Sequence, residues 1–207
     1  MKGFLNEKVH AFAREYGERG VVMGTFWMGR HVYKCPTDLW IYQELLHVTR
    51  TDLVIETGTH SGGSALFLAS MCDLMGRGRV VTIDVDPQDD LPEHPRIKYV
   101  KGSSVEPAVL DQVRAEAADA ERVMVILDSD HSKEHVRAEL EEYAPLVSEG
   151  CYLIVEDTMA GVLPGHGPGP DEAIQEFLAE NDSFAVDPVC EKFHMTFQPG
   201  GYLKRGS

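Results

Sequence analysis

The chain is short of positive charge. Its 207 residues carry 19 Lys and Arg against 34 Asp and Glu, a formal net charge of -15. Nucleic acid needs a basic face to neutralise its phosphates, so it is a poor partner for this chain. An anionic membrane is disfavoured on the same ground, and the surplus acid reads first as a source of solubility. Long apolar runs are missing too. None reaches the ~18 residues of a membrane span, and no segment near the start follows the basic, apolar, small-residue order of a secretory leader. Cysteine is sparse: Cys35, Cys72, Cys151 and Cys190 are the only 4, and no two form a CxxC pair. That argues against a disulfide framework and for a reduced, cytoplasmic protein. Internal repeats, low-complexity tracts and linkers are also absent.

What remains is an ordinary globular composition, 43% hydrophobic and 26% charged, in a length that suits one domain spanning residues 1–207. Residues 1–50 read as N-terminal helices and a cover for a pocket, and 51–207 as the core. The first ~20 residues place Phe4, Leu5, Val9, Phe12, Ala13 and Tyr16 at helical spacing. "GERGVVMGTFWMGRHVYKCP" is rich in glycine and reads as irregular. Pro36 then opens a helix, "PTDLWIYQELLHVT". Strand and helix patterns alternate after it. The strands are "DLVIET", "RVVTIDVD", "IKYVKGSS", "RVMVILDSD" and "CYLIVEDT". Several are apolar on both faces, as in a parallel sheet covered by helices on each side. "SFAVDP" and a hairpin in "EKFHMTFQPGGYLKR", turning at Pro199-Gly200-Gly201, close the chain. The predicted fold is α/β: a Rossmann-like, doubly wound, mostly parallel seven-stranded sheet ending in an antiparallel hairpin.

In such sheets ligands bind beyond the carboxyl ends of the strands. The first core strand ends in "ETGTHSGGS", residues 56–64. It is neither GxGxxG nor GxxxxGK[ST]. The acid Glu56 would repel a pyrophosphate and suits a ligand with positive charge at its centre, such as S-adenosylmethionine. The pattern ExGxxxG resembles the first motif of the class I methyltransferases. Asp84, at the end of the next strand, lies at the offset of a ribose-binding acid. Gly102-Ser103-Ser104 ends the third strand.

The fourth and fifth strands end in "LDSDH" and "VEDT". Asp128, Asp130, His131, Glu156 and Asp157 are thereby expected at one pocket. Uncompensated carboxylates would repel one another. A hard divalent cation such as Mg²⁺ removes the conflict. It would acidify a substrate hydroxyl, with His131 or Asp128 as the base. Each residue alone has a plainer reading: Asp130 as the cap of the helix near Ser132, His131 as a surface histidine.

"LDSDHSKEHVRAELEEYAPLVSEGCYLIVEDT", "ETGTHSGGSALFLASM", "PGHGPGPDEAIQEFL" and "EKFHMTFQPGGYLKR" resemble the cephalosporin hydroxylase family, whose fold is that of S-adenosylmethionine-dependent methyltransferases. The resemblance covers nearly the whole chain and extends to magnesium-dependent sugar and macrolide-sugar O-methyltransferases. It implies a metal site of one aspartate from "DSDH", Asp130 ahead of Asp128, with Glu156 and Asp157, and Asp128 or His131 as base. It implies cofactor contacts at Glu56, Gly58, Thr59, Ser64, Asp84, Val85, Ser103, Ser104 and Asp128, and a homo-oligomer.

The expected activity is metal-dependent O-methylation of a small-molecule hydroxyl, on a sugar or other natural product. Acceptor recognition is expected from Phe26, Trp27 and Tyr33, whose other reading is plain core, and from "MAGVLPGHGPGP" (residues 159–170), either a lid or an ordinary surface connection, with His166 either behind the site residues or exposed. Two other readings stand beside it. One is a hydroxylase or oxidoreductase component, which would need a redox cofactor whose signature the chain lacks. The other is a non-catalytic partner that keeps the fold.

Overall fold

A strand that is apolar at every position has no face to give to water. It pairs on both edges and takes helices on both sides. The computed structural model describes residues 11, 14–16, 19–159 and 167–206, and its alternating stretch obeys this rule. In chain order the elements are a ribbon of β1 (Phe26–Trp27) and β2 (Arg30–His31), helix α1 (Pro36–Thr49), β3 (Leu53–Thr57), α2 (Gly63–Met75), β4 (Arg79–Asp84), β5 (Ile97–Lys101), α3 (Pro107–Ala118), β6 (Val123–Leu127), α4 (Lys133–Tyr143), β7 (Tyr152–Val155), α5 (Pro170–Glu180), β8 (Phe184–Val186) and β9 (Tyr202–Arg205). Seven strands form one sheet in the order β5-β4-β3-β6-β7-β9-β8. β3 to β7 run parallel, and β9 is antiparallel to both β7 and β8.

The register sorts alternate residues into two layers. Ile55 lies beside Val81 and Val125. These residues, with Leu53, Ile83 and Leu153, pack on Val113, Val136, Leu140, Ile174 and Phe177 from α3, α4 and α5. Val54, Val80, Met124, Ile126 and Ile154 point the other way, onto Ile41, Leu45, Leu46, Phe67 and Leu68 of α1 and α2. Each such side chain contributes about 1.5–3 kcal/mol by leaving water. A slip of one residue would exchange the layers, so the register is strongly specified. The strand order reverses between β3 and β6. The helices that follow these two strands, α2 and α4, pack on opposite faces of the sheet, and a crevice opens beyond the strand ends.

The C-terminal antiparallel pair forms, but its first strand is β8 rather than "EKFHMTF". There the donors of Lys192 and His194 go to turn carbonyls, and side chains take further donors up to Gly200. The N–H of Phe197 donates to Asp38 Oδ2 at 3.0 Å, and that of Gly200 to Glu191 Oε1 at 2.8 Å. The glycine-rich segment read as irregular contains the β1–β2 ribbon, joined by Met28 (φ 49) and Gly29 (φ 84). Two positive-φ residues are what a tight hairpin of matching twist requires. All four cysteines are buried thiols. The predicted N-terminal helix lies largely outside the described residues, though Ala11 and residues 14–16 are helical. No helix among the described residues is long and apolar enough to cross a membrane.

The ribbon is seated on the start of α2. Trp27 meets Phe67 edge to face at 4.9 Å, and its Nε1 donates to Ser70 Oγ at 3.0 Å. Arg30 Nε donates to the Ser61 carbonyl at 2.7 Å, and Ser61 Oγ to the His31 carbonyl at 2.9 Å. A Cβ on Gly63 would collide with the His31 and Val32 backbone. Gly63→Ala is therefore expected to unseat the ribbon while sparing the sheet. Overpacking of this kind costs about 1–3 kcal/mol. Limited proteolysis should cut within residues 19–35 roughly tenfold faster or more, with little change in the urea midpoint of global unfolding. Unaltered cleavage would show that the seat does not depend on this contact.

Candidate active site

The crevice holds a cavity of about 570 Å³, within the range of small-ligand sites. Its walls come from the carboxyl ends of β3 to β7 and from residues 32–34 beyond the ribbon. On the β3 side the chain turns through Gly58 (φ 90), His60 (φ 46) and Gly62 (φ 73). Gly58 donates its N–H to the Ile83 carbonyl at 2.8 Å. A side chain at Gly58 would strike the backbone of Asp128, so only glycine lets the β3 and β6 loops meet there.

Gly58, Thr59, Ser64, Asp84, Val85, Ser103, Ser104 and Asp128 all line the cavity. Asp84 is held in place by the N–H of His60 at 2.7 Å and of Asp86 at 2.8 Å. Glu56 stands apart from this group. It is fully buried behind the wall, and Thr82 Oγ1 donates to its Oε2 at 2.7 Å. Its Oε1 has no hydrogen-bond partner, and burial raises its carboxyl above the ordinary value. A buried acceptor beneath a glycine turn, a strand-end acid and hydroxyls at 103–104 fit a nucleoside ligand with a cationic centre.

The acids divide into two sets. Asp128, His131 and Asp157 place one ligand atom each within 4.8 Å of the others. His131 Nε2 lies 3.4 Å from Asp157 Oδ2 and 4.0 Å from Asp128 Oδ1. Asp157 reaches the cavity because its backbone adopts φ 50, a strained conformation of the kind that gathers at functional sites. Asp130 also lines the cavity, but its Oδ1 accepts the N–H of Ser132 at 2.7 Å, and that bond holds its carboxyl below the ordinary value. Glu156 does not face the cavity. It is buried, and Tyr42 donates to its Oε1 at 2.6 Å.

Lys34 ties the two sets together. The residue is 3% exposed, and its ammonium pairs with Asp128 Oδ2 and with Glu156 Oε1, the latter at 2.7 Å. Burial works to lower the lysine pKa, but Asp128, Glu156 and Glu56 outweigh it and hold it above its usual value. The acids outnumber the lysine. Burial, opposed by Lys34, brings Asp128 up to about 7, with Asp157 adding repulsion. Burial and the neighbouring Asp128 bring Glu156 up to about 7. This surplus of negative charge, with donors spaced to surround one small ion, fits a hard divalent cation.

Behind Glu156 the network continues. Gln198 Nε2 donates to Tyr42 Oη at 2.8 Å and to Tyr202 Oη at 3.0 Å, and Tyr202 donates to Asp38 Oδ1 at 2.9 Å. Lys34, Tyr42 and Gln198 escape sequence reasoning, because none stands at a strand end. His135, beside Ser104 at 3.1 Å and Glu139 at 3.5 Å, also lines the cavity; its one signal is the i,i+4 spacing to Glu139. Of the three aromatics expected at the acceptor side, Tyr33 lines the cavity and meets His60 edge to face at 4.8 Å. Trp27 is packed on α2, and Phe26 is exposed against His31. Most of the expected lid, with His166, lies outside the described residues.

Comparison with known proteins agrees with this geometry. The profile described as "Rhamnosyl O-methyltransferase/CmcI" matches residues 19–206. The chain is 40% identical over 194 residues to the rhamnosyl O-methyltransferase of Mycobacterium tuberculosis H37Rv, covering 87% of this chain and 78% of the relative. It is 37% identical over 218 residues to the rhamnosyl O-methyltransferase of Mycobacterium leprae, covering 99% and 95%. Among solved structures, CmcI with Mg and SAM superposes with a TM-score of 0.70 at 21% identity, over 88% of this chain and 77% of that one. The MycE methyltransferase of the mycinamycin biosynthetic pathway, with Mg and SAH, gives 0.53 at 19% identity, over 80% and 48%. The chain belongs to the Rhamnosyl O-methyltransferase/CmcI family and is an S-adenosylmethionine-dependent O-methyltransferase.

Proposed function

We propose that the protein methylates a hydroxyl of a small glycosylated molecule, with a divalent cation at Asp128 and Asp157. One observation carries this reading. The cavity at the strand-order reversal joins a glycine turn and a strand-end acid to a carboxylate–histidine trio. The sugar as acceptor is supported by the relatives named rhamnosyl O-methyltransferase.

The residues divide the work as follows. Gly58, Thr59, Ser64, Asp84, Val85, Ser103 and Ser104 hold the methyl donor, with Glu56 beneath its cationic end. Bound there, S-adenosylmethionine supplies a methyl group on a sulfonium, open to in-line displacement by an oxygen. Asp128 and Asp157 hold the cation, and Asp130 supports them from the rim. Bound there, Mg²⁺ supplies a Lewis acid that lowers the pKa of an acceptor hydroxyl. His131 takes the hydroxyl proton on Nε2, and Asp157, whose Oδ2 lies 3.4 Å from that atom, stabilises the imidazolium that results. The rest of the catalysis is positioning: the walls hold the acceptor in line and keep water out.

Excess chelator is expected to bring methyl transfer to a rhamnosylated acceptor down to background, and added Mg²⁺ to restore it. Asp157→Ala should lower kcat/KM about a hundredfold or more through lost charge stabilisation. Full turnover in chelator would remove the cation from the mechanism.

His131→Ala should lower kcat about 10²–10⁴-fold, the usual contribution of a positioned base. Calorimetric affinity for S-adenosylhomocysteine should stay unchanged. A variant with wild-type kcat would return the base role to Asp128.

A further inference from the structure

Lys34 is the one described cation inside the acid cluster, and the reaction proposed above gives it no task. It comes from outside the sheet, on the segment that follows the ribbon. Tyr33 precedes it with φ 49, so the chain bends sharply to deliver the ammonium. The lysine is nearly inaccessible and lies between two acids of different kinds. Asp128 faces the cavity, whereas Glu156 faces the interior. One ammonium therefore holds both the acid proposed to bind the cation and the acid that anchors the buried network.

We propose that Lys34 is a built-in counter-ion that competes with the divalent cation for Asp128, and so sets how tightly that cation is held. The inference rests on the cation reading above and concerns this chain's own residue toward it. Two positive charges that share a carboxylate repel each other, and in a partly buried site the repulsion is substantial. A permanent internal cation keeps the apo cluster folded, since surplus buried carboxylate is costly. It also weakens the site for Mg²⁺. Lys34 is thus a positioning residue, outside the reacting groups themselves.

The test compares full-length wild type, Lys34→Met and Lys34→Arg by Mg²⁺ calorimetry and by thermal unfolding with and without Mg²⁺. Lys34→Met is expected to bind Mg²⁺ about tenfold more tightly or better. Its Tm in chelator should fall, and Mg²⁺ should raise it by more than it raises wild type. Lys34→Arg keeps the charge and should stay within about threefold of the wild-type affinity. If Lys34→Met does not hold its fold in chelator, its affinity is taken from the Mg²⁺ dependence of its thermal transition after correction for its own unfolding equilibrium, and the corrected dissociation constant should lie below the wild-type one. Wild-type or weaker affinity in Lys34→Met overturns the proposal. So does Lys34→Arg binding as tightly as Lys34→Met, because packing would then explain the gain. If wild type takes up no Mg²⁺ at all, the cation reading itself fails. Uptake by wild type with no change in Lys34→Met defeats only the role of Lys34.

Discussion

Glu56, Asp128, Glu156 and Asp157 end neighbouring parallel strands or follow them directly. Parallel strands all deliver their carboxyl ends to one edge, so whatever charge stands there is concentrated. Carboxylates that leave water without a partner cost far more than a hydrophobic contact returns. The sheet cannot supply the countercharge, because its own residues there are Val, Ile, Leu and Thr. The fold brings it in from elsewhere. Lys34 brings the charge from the pocket wall, Tyr42 of α1 adds a hydrogen bond to Glu156, and Gln198 of the C-terminal connection holds Tyr42 in place. Three segments distant in sequence are fixed against one another because they answer the same charge.

The sheet was legible in the sequence because its signal is local. "VMVIL" has no polar position, and at five residues it is too short for a buried helix. The same holds for "YLIV". The antiparallel end was legible in kind but not in its strands. "EKFHMTF" alternates like a strand, yet turn carbonyls take the donors of Lys192 and His194, and Asp38 takes that of Phe197. Nothing in the stretch itself announces an acceptor more than 150 residues upstream. The ribbon was hidden for the opposite reason: its strands are two residues long, too short for any period to show.

At the site, position was legible and orientation was not. The strand ends place Asp84, Asp128 and Asp157 at the cavity, and Ser103 and Ser104 opposite. Whether an acid turns inward or outward depends on one backbone angle. Glu156 still follows the pleat of β7 and points inside, whereas Asp157 takes φ 50 and points out. Two adjacent carboxylates thus serve different environments. Asp130 shows a competing local preference, because an aspartate two residues before a free N–H bonds to it readily. Lys34 carried no signal at all. A lysine in an irregular, glycine-rich segment is ordinarily solvated, and only the tertiary path of residues 30–35 makes it a buried ion.

This division explains why so many acids coexist in one crevice. Glu156 has fixed partners, and through Tyr42 and Lys34 it ties α1 and the pocket wall to β7. Two of the acids facing the cavity are left short of partners: Asp157 has His131 at 3.4 Å, and Asp128 shares one ammonium with Glu156. A cation-binding site needs that shortage, because carboxylates fully satisfied by protein would have to break good bonds to take an ion. The buried network supplies the rigidity and the cavity face keeps the deficit. At the end of β7 the two fall on consecutive residues, Glu156 on the buried side and Asp157 at the cavity.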